Sequence, residues 1–316
     1  MRTESAFTSL LPEPAGWSGQ LPESPPTLGQ ARRYCQDLAQ NHYENFHVVS
    51  WLFPRALRAH LHAVYAYCRW ADDLGDESGD PERSLWLLKR WEEELLACYQ
   101  GRARHPVFVA LRDTVQRFEI PPEPFLDLLT AFRQDQVKKR YQDFGELLDY
   151  CRYSANPVGR LVLYVCGCRD RERQQLSDFT CTALQLASFW QDVWRDYQIG
   201  RIYLPLQDMM RHAYSEQELA SRQYNERFAR LLQELVERTG ELFRRGLPLA
   251  SQVERWLAVD IELFSRGGME VLRLIERQNY DVLGRRPSLT REEKTLLFAS
   301  TALSRMFMLR KSPPRK

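Results

Sequence analysis

The chain has 316 residues, 44% of them hydrophobic, which is enough to bury a large core as one big helical domain or two average ones. Its 44 Lys and Arg nearly balance 42 Asp and Glu, and a net charge of +2 lacks the concentrated basic excess of a nucleic-acid binder. Mean hydropathy is −0.51, and no apolar stretch approaches the roughly 18 residues of a membrane span.

Residues 1–27 hold prolines 12, 14, 22, 25 and 26 among Ser and Gly, and read as a flexible arm with too little apolar surface to order itself. The start, Met-Arg-Thr-Glu-Ser, has no apolar signal core, so export is not expected. Helical periodicity follows. Leu57, Leu61, Val64/Tyr65 and Cys68 recur at steps of three and four. Asp80-Pro81-Glu82 reads as an N-cap, a first-turn proline and an acidic first turn, opening a helix to about Tyr99. Pro121, Pro122 and Pro124 open another through Leu128, Leu129 and Phe132. Further helices are predicted over 156–168, 176–198, 223–245, 256–279 and 290–310. There is no β-alternation, no Gly-rich nucleotide loop after a strand and no repeat. No linker divides the chain after residue 30, so one all-α domain over 28–311 is expected, with a basic tail at 312–316. Seven scattered cysteines, with Cys166 and Cys168 a lone C-x-C, fit reduced thiols packed like small hydrophobes in a cytoplasmic protein.

Two segments carry chemistry. In Tyr65-Ala-Tyr-Cys-Arg69-Trp-Ala-Asp72-Asp73-Leu-Gly-Asp76, residues seven or eleven apart differ by only about 20° around a helix. An apolar, inward stripe through Leu61 and Tyr65 therefore runs into Asp72 and Asp76, whereas surface acids normally sit opposite the apolar face. A carboxylate on an inner face needs a cation or a water-filled cavity. In the segment Cys181 to Tyr197, Gln185, Ser188, Asp192 and Asp196 form one polar line on a helix otherwise apolar nearly all round. Two such helices facing each other would gather four carboxylates around a cavity, where repulsion hinders ionisation unless divalent ions are present. Oxygen-only ligands suit magnesium, which shares its shell with waters and phosphates. The plainer alternative is that each acidic pair is an ordinary salt-bridged helix face.

These residues resemble the squalene/phytoene synthases, the head-to-head prenyl transferases of the isoprenoid-synthase fold. The first motif of that family, Y-x-x-x-R-x-x-D-D-x-x-D, is Tyr65, Arg69, Asp72, Asp73 and Asp76 here. The second, Q-L-x-N-x-x-x-D-x-x-x-D followed by G-R-x-Y-x-P, is Gln185, Leu186, Ser188, Asp192 and Asp196, then Gly200 to Pro205. His42-Tyr-Glu-Asn-Phe46, Tyr150-Cys151 with Pro157-Val158-Gly159, and Tyr280 to Pro287 (YDVLGRRP) match the remaining signatures, all in order over about residues 28–310. The wording Tyr43–Phe46, Ser154–Gly159 and Phe189–Asp192 is similar to the family's bacterial hydroxysqualene synthases of hopanoid-type pathways.

The resemblance implies an all-α isoprenoid-synthase bundle around a central cavity, and conversion of presqualene diphosphate to hydroxysqualene plus diphosphate without NADPH. Asp72, Asp76, Asp192 and Asp196, with Ser188, are implied to hold two or three Mg2+ ions. Arg69 and Arg285 are implied to clamp the diphosphate, Tyr65 and Tyr150 to point hydroxyls at it, and Asn45 and Gln185 to contact it. Phe46, Ala155, Val158, Val162 and Leu184 are implied to line a dry pocket for the isoprenoid cation. Asn156 and Gln191 are polar groups that could place the quenching water. Three positions depart from the family pattern. Ser188 stands for the usual asparagine ligand, Gln191 for an arginine, and Gly268 for a tyrosine near the diphosphate. One charge and one hydroxyl fewer point to a site for one diphosphate rather than two. The expected partners are the isoprenoid diphosphate, a downstream squalene-forming oxidoreductase and, through the basic tail from Arg310, the inner face of a membrane. The alternatives are presqualene diphosphate synthase, squalene synthase, phytoene synthase, or a scaffold retaining the fold. A scaffold is expected to have lost the aspartates that this chain keeps.

Overall fold

The computed structural model describes residues 17–41, 53–76 and 79–290. Asn45, Phe46, the helix expected at 290–310 and the basic tail lie outside them. The described residues are helical, with no strand. In chain order the helices are α1 (Leu28–Asn41), α2 (Arg55–Asp76), α3 (Pro81–Tyr99), α4 (Pro106–Phe118), α5 (Glu123–Val137) and α6 (Phe144–Ser154). They continue with α7 (Asn156–Val165), α8 (Arg171–Gln198), α9 (Leu206–Arg211), α10 (Glu216–Ala220), α11 (Glu226–Gly246) and α12 (Arg255–Arg277), with a 3-10 turn at Leu247–Ser251 before α12.

Side chains fix many of these starts. Asp80 accepts from the Glu82 amide, with Pro81 in the first turn of α3 as the sequence predicts. Asp143, Asp170 and Asn225 cap α6, α8 and α11 in the same way. Ser215 and Glu218 close a reciprocal capping box at α10.

Contacts divide the described residues into two compact units where the sequence predicts one domain: those up to residue 138 with 157–169, and 139–156 with those from residue 170 on. Each collects its own core around one central helix, and no Pro/Gly-rich linker marks the passage between them. In the first unit α2 is central, packed by α1, α3, α4 and α5. Trp70 of α2 stacks on Trp91 of α3 with ring centroids 5.1 Å apart and planes 7° off parallel, and His105 meets Trp70 edge-on at 4.5 Å. Burial pulls His105 down to about 3, so it stays neutral. Its Nδ1 accepts from the Val107 amide and so caps α4. Trp17 joins this cluster at 1% exposure, its indole N–H donating to the Gln20 carbonyl at 2.8 Å. Residues 17–27, expected to belong to the flexible arm, are therefore anchored, because one indole buries more apolar area than the proline content of the segment implies.

In the second unit α8 is central, packed by α11, α12, α6 and the 3-10 turn. Gly246 is needed at the α11–α8 contact. A Cβ there would lie 2.2 Å from Thr180 Oγ1 and 3.1 Å from the Leu176 carbonyl.

Candidate active site

On α2, packing on most sides leaves one accessible line, Arg58, His62, Tyr65, Arg69, Asp72 and Asp76, at steps of four and three. Leu61 is buried, so the inner stripe expected to run through it into Asp72 is corrected. Asp72 and Asp76 sit on a polar, accessible line instead, because four packed neighbours claim the apolar positions. The Asp72 side chain is 49% exposed and Asp73 only 4%. Arg69 forks Asp73, with Nε to Oδ2 at 3.0 Å and Nη2 to Oδ1 at 2.5 Å, and lies 3.9 Å from Asp72. The guanidinium implied to clamp diphosphate thus holds the one carboxylate of the motif that is buried and needs a partner. Burial pushes the Tyr65 phenol up while Arg69 pulls it down, which places that hydroxyl within the electrostatic reach of the motif.

On α8 the predicted polar line is the accessible one: Gln185, Asp192 and Asp196 are partly exposed and Ser188 is exposed, while Ala183, Leu186, Ala187, Phe189, Trp190 and Val193 are buried. The helix kinks at Asp192, whose φ of −107° and ψ of 15° are not helical. Arg286 forks Asp192, Nε to Oδ1 at 2.6 Å and Nη2 to Oδ2 at 2.7 Å. Burial and the Asp192 charge together push Asp196 up to about 7. Beyond α8, Gly200 turns the chain with φ of +80°, and Tyr203 stacks on Phe189 at 3.7 Å and 8°. That stack ties the G-R-x-Y-x-P segment to the aspartate helix.

Tyr150 is buried in the same aromatic group, 5.4 Å from Tyr141 and 6.0 Å from Tyr203. The YDVLGRRP segment is fastened at several points. Arg222 donates to the carbonyls of Leu283 and Gly284, Tyr224 to that of Asn279 at 2.6 Å, and Gln191 to that of Pro287. Arg285 is exposed, and its neighbour Arg286 is the residue aimed at the aspartates. The sequence offers two adjacent arginines, and only the path of this pinned segment separates them. Asn156 accepts from Thr182 Oγ1 at 2.8 Å and Gln191 is tied to Pro287, so the groups proposed to place a water have structural partners. Gly268 is buried, and a Cβ on it would lie 2.2 Å from Phe243 and 3.0 Å from Leu184. The space a tyrosine would need is filled by Phe243. Of the expected lining, Ala155 is buried, whereas Val158 (39% exposed) and Val162 form an accessible apolar line on α7.

Among the described residues no three carboxylate, imidazole or thiol side chains gather to cage an ion. Each motif instead presents two carboxylates one turn apart, an oxygen-only donor set that suits a magnesium ion sharing its shell with waters and phosphate. No helix of the described residues is long and apolar enough to cross a membrane.

Residues 39–293 match the squalene/phytoene synthase family model. The chain belongs to the squalene/phytoene synthase family. It is 36% identical over 240 residues to a hydroxysqualene synthase of Rhodopseudomonas palustris, covering 75% of this chain and 80% of that one. It is 30% identical over 279 residues to a phytoene synthase of Arthrospira platensis, covering 83% and 89%. Among solved structures, squalene synthase HpnC from Alicyclobacillus acidocaldarius superposes with a TM-score of 0.77 at 44% identity, over 80% of this chain and 95% of that chain. The family member described here is thus an isoprenoid synthase with the family's helical fold, and its family acts on isoprenoid diphosphates.

Proposed function

We propose that the enzyme converts presqualene diphosphate to hydroxysqualene plus diphosphate, with magnesium and without a nicotinamide cofactor, in squalene and hopanoid biosynthesis. The observation that carries this reading is the similarity to hydroxysqualene synthase over three quarters of the chain. Two positions support it. Gln191 is committed to the Pro287 carbonyl, and the place of a tyrosine at 268 is closed by Phe243, in keeping with a site for one diphosphate.

Asp72 and Asp76, and Asp192 and Asp196 with the Ser188 hydroxyl, would hold magnesium against the diphosphate. Magnesium, when bound, supplies positive charge that stabilises the charge growing on the leaving diphosphate. The C–O bond breaks with its electron pair leaving on the diphosphate. The cyclopropylcarbinyl cation rearranges, takes the oxygen of one water and loses one of that water's protons. Val158 and Val162 offer apolar surface to the isoprenoid chain, which keeps other water from the cation. Parallel incubations with presqualene diphosphate and with farnesyl diphosphate test the substrate. Hydroxysqualene from the first and no product from the second is expected. Phytoene-type or squalene-type condensation from unfused diphosphates would overturn the reading.

A further inference from the structure

The second aspartate motif already has a cation. Both Asp192 oxygens are engaged by Arg286, at 2.6 and 2.7 Å, in a parallel fork that is the strongest geometry available to an arginine and a carboxylate. Asp192 is 16% exposed and Arg286 34%, so the pair is partly withdrawn from water. Arg195 also approaches Asp192, but at 3.6 Å and from a side chain that is two-thirds exposed. Arg286 is not a swinging surface residue. Its segment is pinned to the same unit by Arg222 on Leu283 and Gly284, by Tyr224 on Asn279 and by Gln191 on Pro287. The Gly284 amide also donates to Asp281 Oδ1 at 2.7 Å within the turn. These anchors do not involve Asp192, so Arg286 is delivered to the carboxylate by the fold around it. Asp192 meets it at the one non-helical residue of α8.

We propose that Arg286 is a positioning residue that serves as the resident counter-cation of Asp192 and competes with divalent metal for it, so that metal loading at the second motif requires Arg286 to give up its fork. A guanidinium donating to both oxygens takes one lone pair on each, the pair a divalent ion chelated by both oxygens would use. Two positive charges on one carboxylate also repel. Metal binding is thereby coupled to the pinned segment 279–287, which loses its Arg286 link to Asp192 as the ion enters while Gln191 of α8 still holds the Pro287 carbonyl. The inference rests on the reading of Asp192 as a metal ligand.

Manganese binding to the whole protein without substrate, followed by the loss of the free-ion paramagnetic signal, tests it. Arg286→Gln should bind Mn2+ about tenfold more tightly than the parent, since a charge-assisted competitor is gone. Arg286→Lys, which keeps the charge without the fork, should fall between them, and Arg285→Gln should move the affinity less than twofold. Unchanged or weaker binding by Arg286→Gln overturns the inference. Asp192→Asn is the separate control. If it keeps the full number of Mn2+ sites, the metal reading itself fails; if it loses one while Arg286→Gln behaves as the parent, only the competition fails. Should Arg286→Gln not fold, amide hydrogen exchange in the parent decides. Exchange at 281–286 should quicken on adding Mn2+, and unchanged exchange overturns the inference.

Discussion

Single residues carry the charge logic of this site. Asp72 and Asp192 occupy matching places in their motifs but different surroundings: the first is half-exposed, and the second is forked by Arg286. Asp72→Asn and Asp192→Asn should each lower turnover by at least about 100-fold at limiting magnesium, as expected when a ligand carboxylate is lost. Near-parental activity in either would sink the metal assignment. Their stabilities should diverge. Asp72→Asn should unfold with the parent, while Asp192→Asn strands Arg286 and should lose about 1 kcal/mol in urea unfolding, a modest figure because the arginine is a third exposed. Asp260, on α12, is a different case. It is buried, and among the described residues neither of its oxygens finds a hydrogen-bond partner. Burial pushes it up to about 8 from an ordinary value of 3.8. The unfolded chain releases this proton near pH 4 and the folded chain keeps it to about 8. Between those values the fold binds more protons, and this group erodes stability as pH rises, by up to about 1.4 kcal/mol per unit. Asp260→Asn should flatten that slope between pH 5 and 8 in urea titrations; an unaltered slope would show that the carboxyl is hydrated in the native state. That Asp72 and Asp76, and Asp192 and Asp196, stand one helical turn apart was legible from spacing. Arg286 was not, because adjacent arginines look alike until the pinned turn aims one of them.

At the scale of helices, periodicity located α2, α3, α5, α7, α8, α11 and α12, where caps, prolines or apolar lines mark the element. It missed α1, α4, α6 and the short α9 and α10. The start of α4 is a near-continuous apolar run, Pro106 to Leu111, capped by an imidazole rather than by a usual N-cap residue. α6 opens with Phe144 and Gly145, poor helix formers that tertiary packing and the Asp143 cap override. For α2 the wrong face was assigned to the carboxylates. The period is compatible with either side of Tyr65, and only the packing of α1, α3, α4 and α5 shows which side is filled. Helix packing also explains a departure from the family pattern. Gly268 lets α12 close onto Phe243 of α11 and Leu184 of α8. Gly268→Ala should cost about 1–3 kcal/mol in thermal or urea unfolding, as overpacking does. A variant as stable as the parent would mean that Phe243 can turn aside, reopening the space for a larger residue.

For the molecule as a whole, helical periodicity without β-alternation sufficed to indicate an all-α fold, and no helix of the described residues is long and apolar enough to cross a membrane. Composition could not reveal two compact units, because each is closed by aromatic packing that composition does not localise. The Trp70–Trp91–His105 group is assembled from two successive helices and the cap of the next, and Trp17 reaches it from a segment that reads as disordered. Each unit nevertheless places its motif on its central helix, with the carboxylates on the one line that packing leaves open. This is the arrangement required of an enzyme that must hold charge at the surface of an otherwise apolar core. The proposed reaction quenches the cation with water. It is tested most directly by supplying presqualene diphosphate and magnesium in oxygen-18 water, with and without NADPH. Hydroxysqualene carrying one labelled oxygen is expected in both reactions. Squalene appearing only when NADPH is present, with no labelled alcohol, would contradict it.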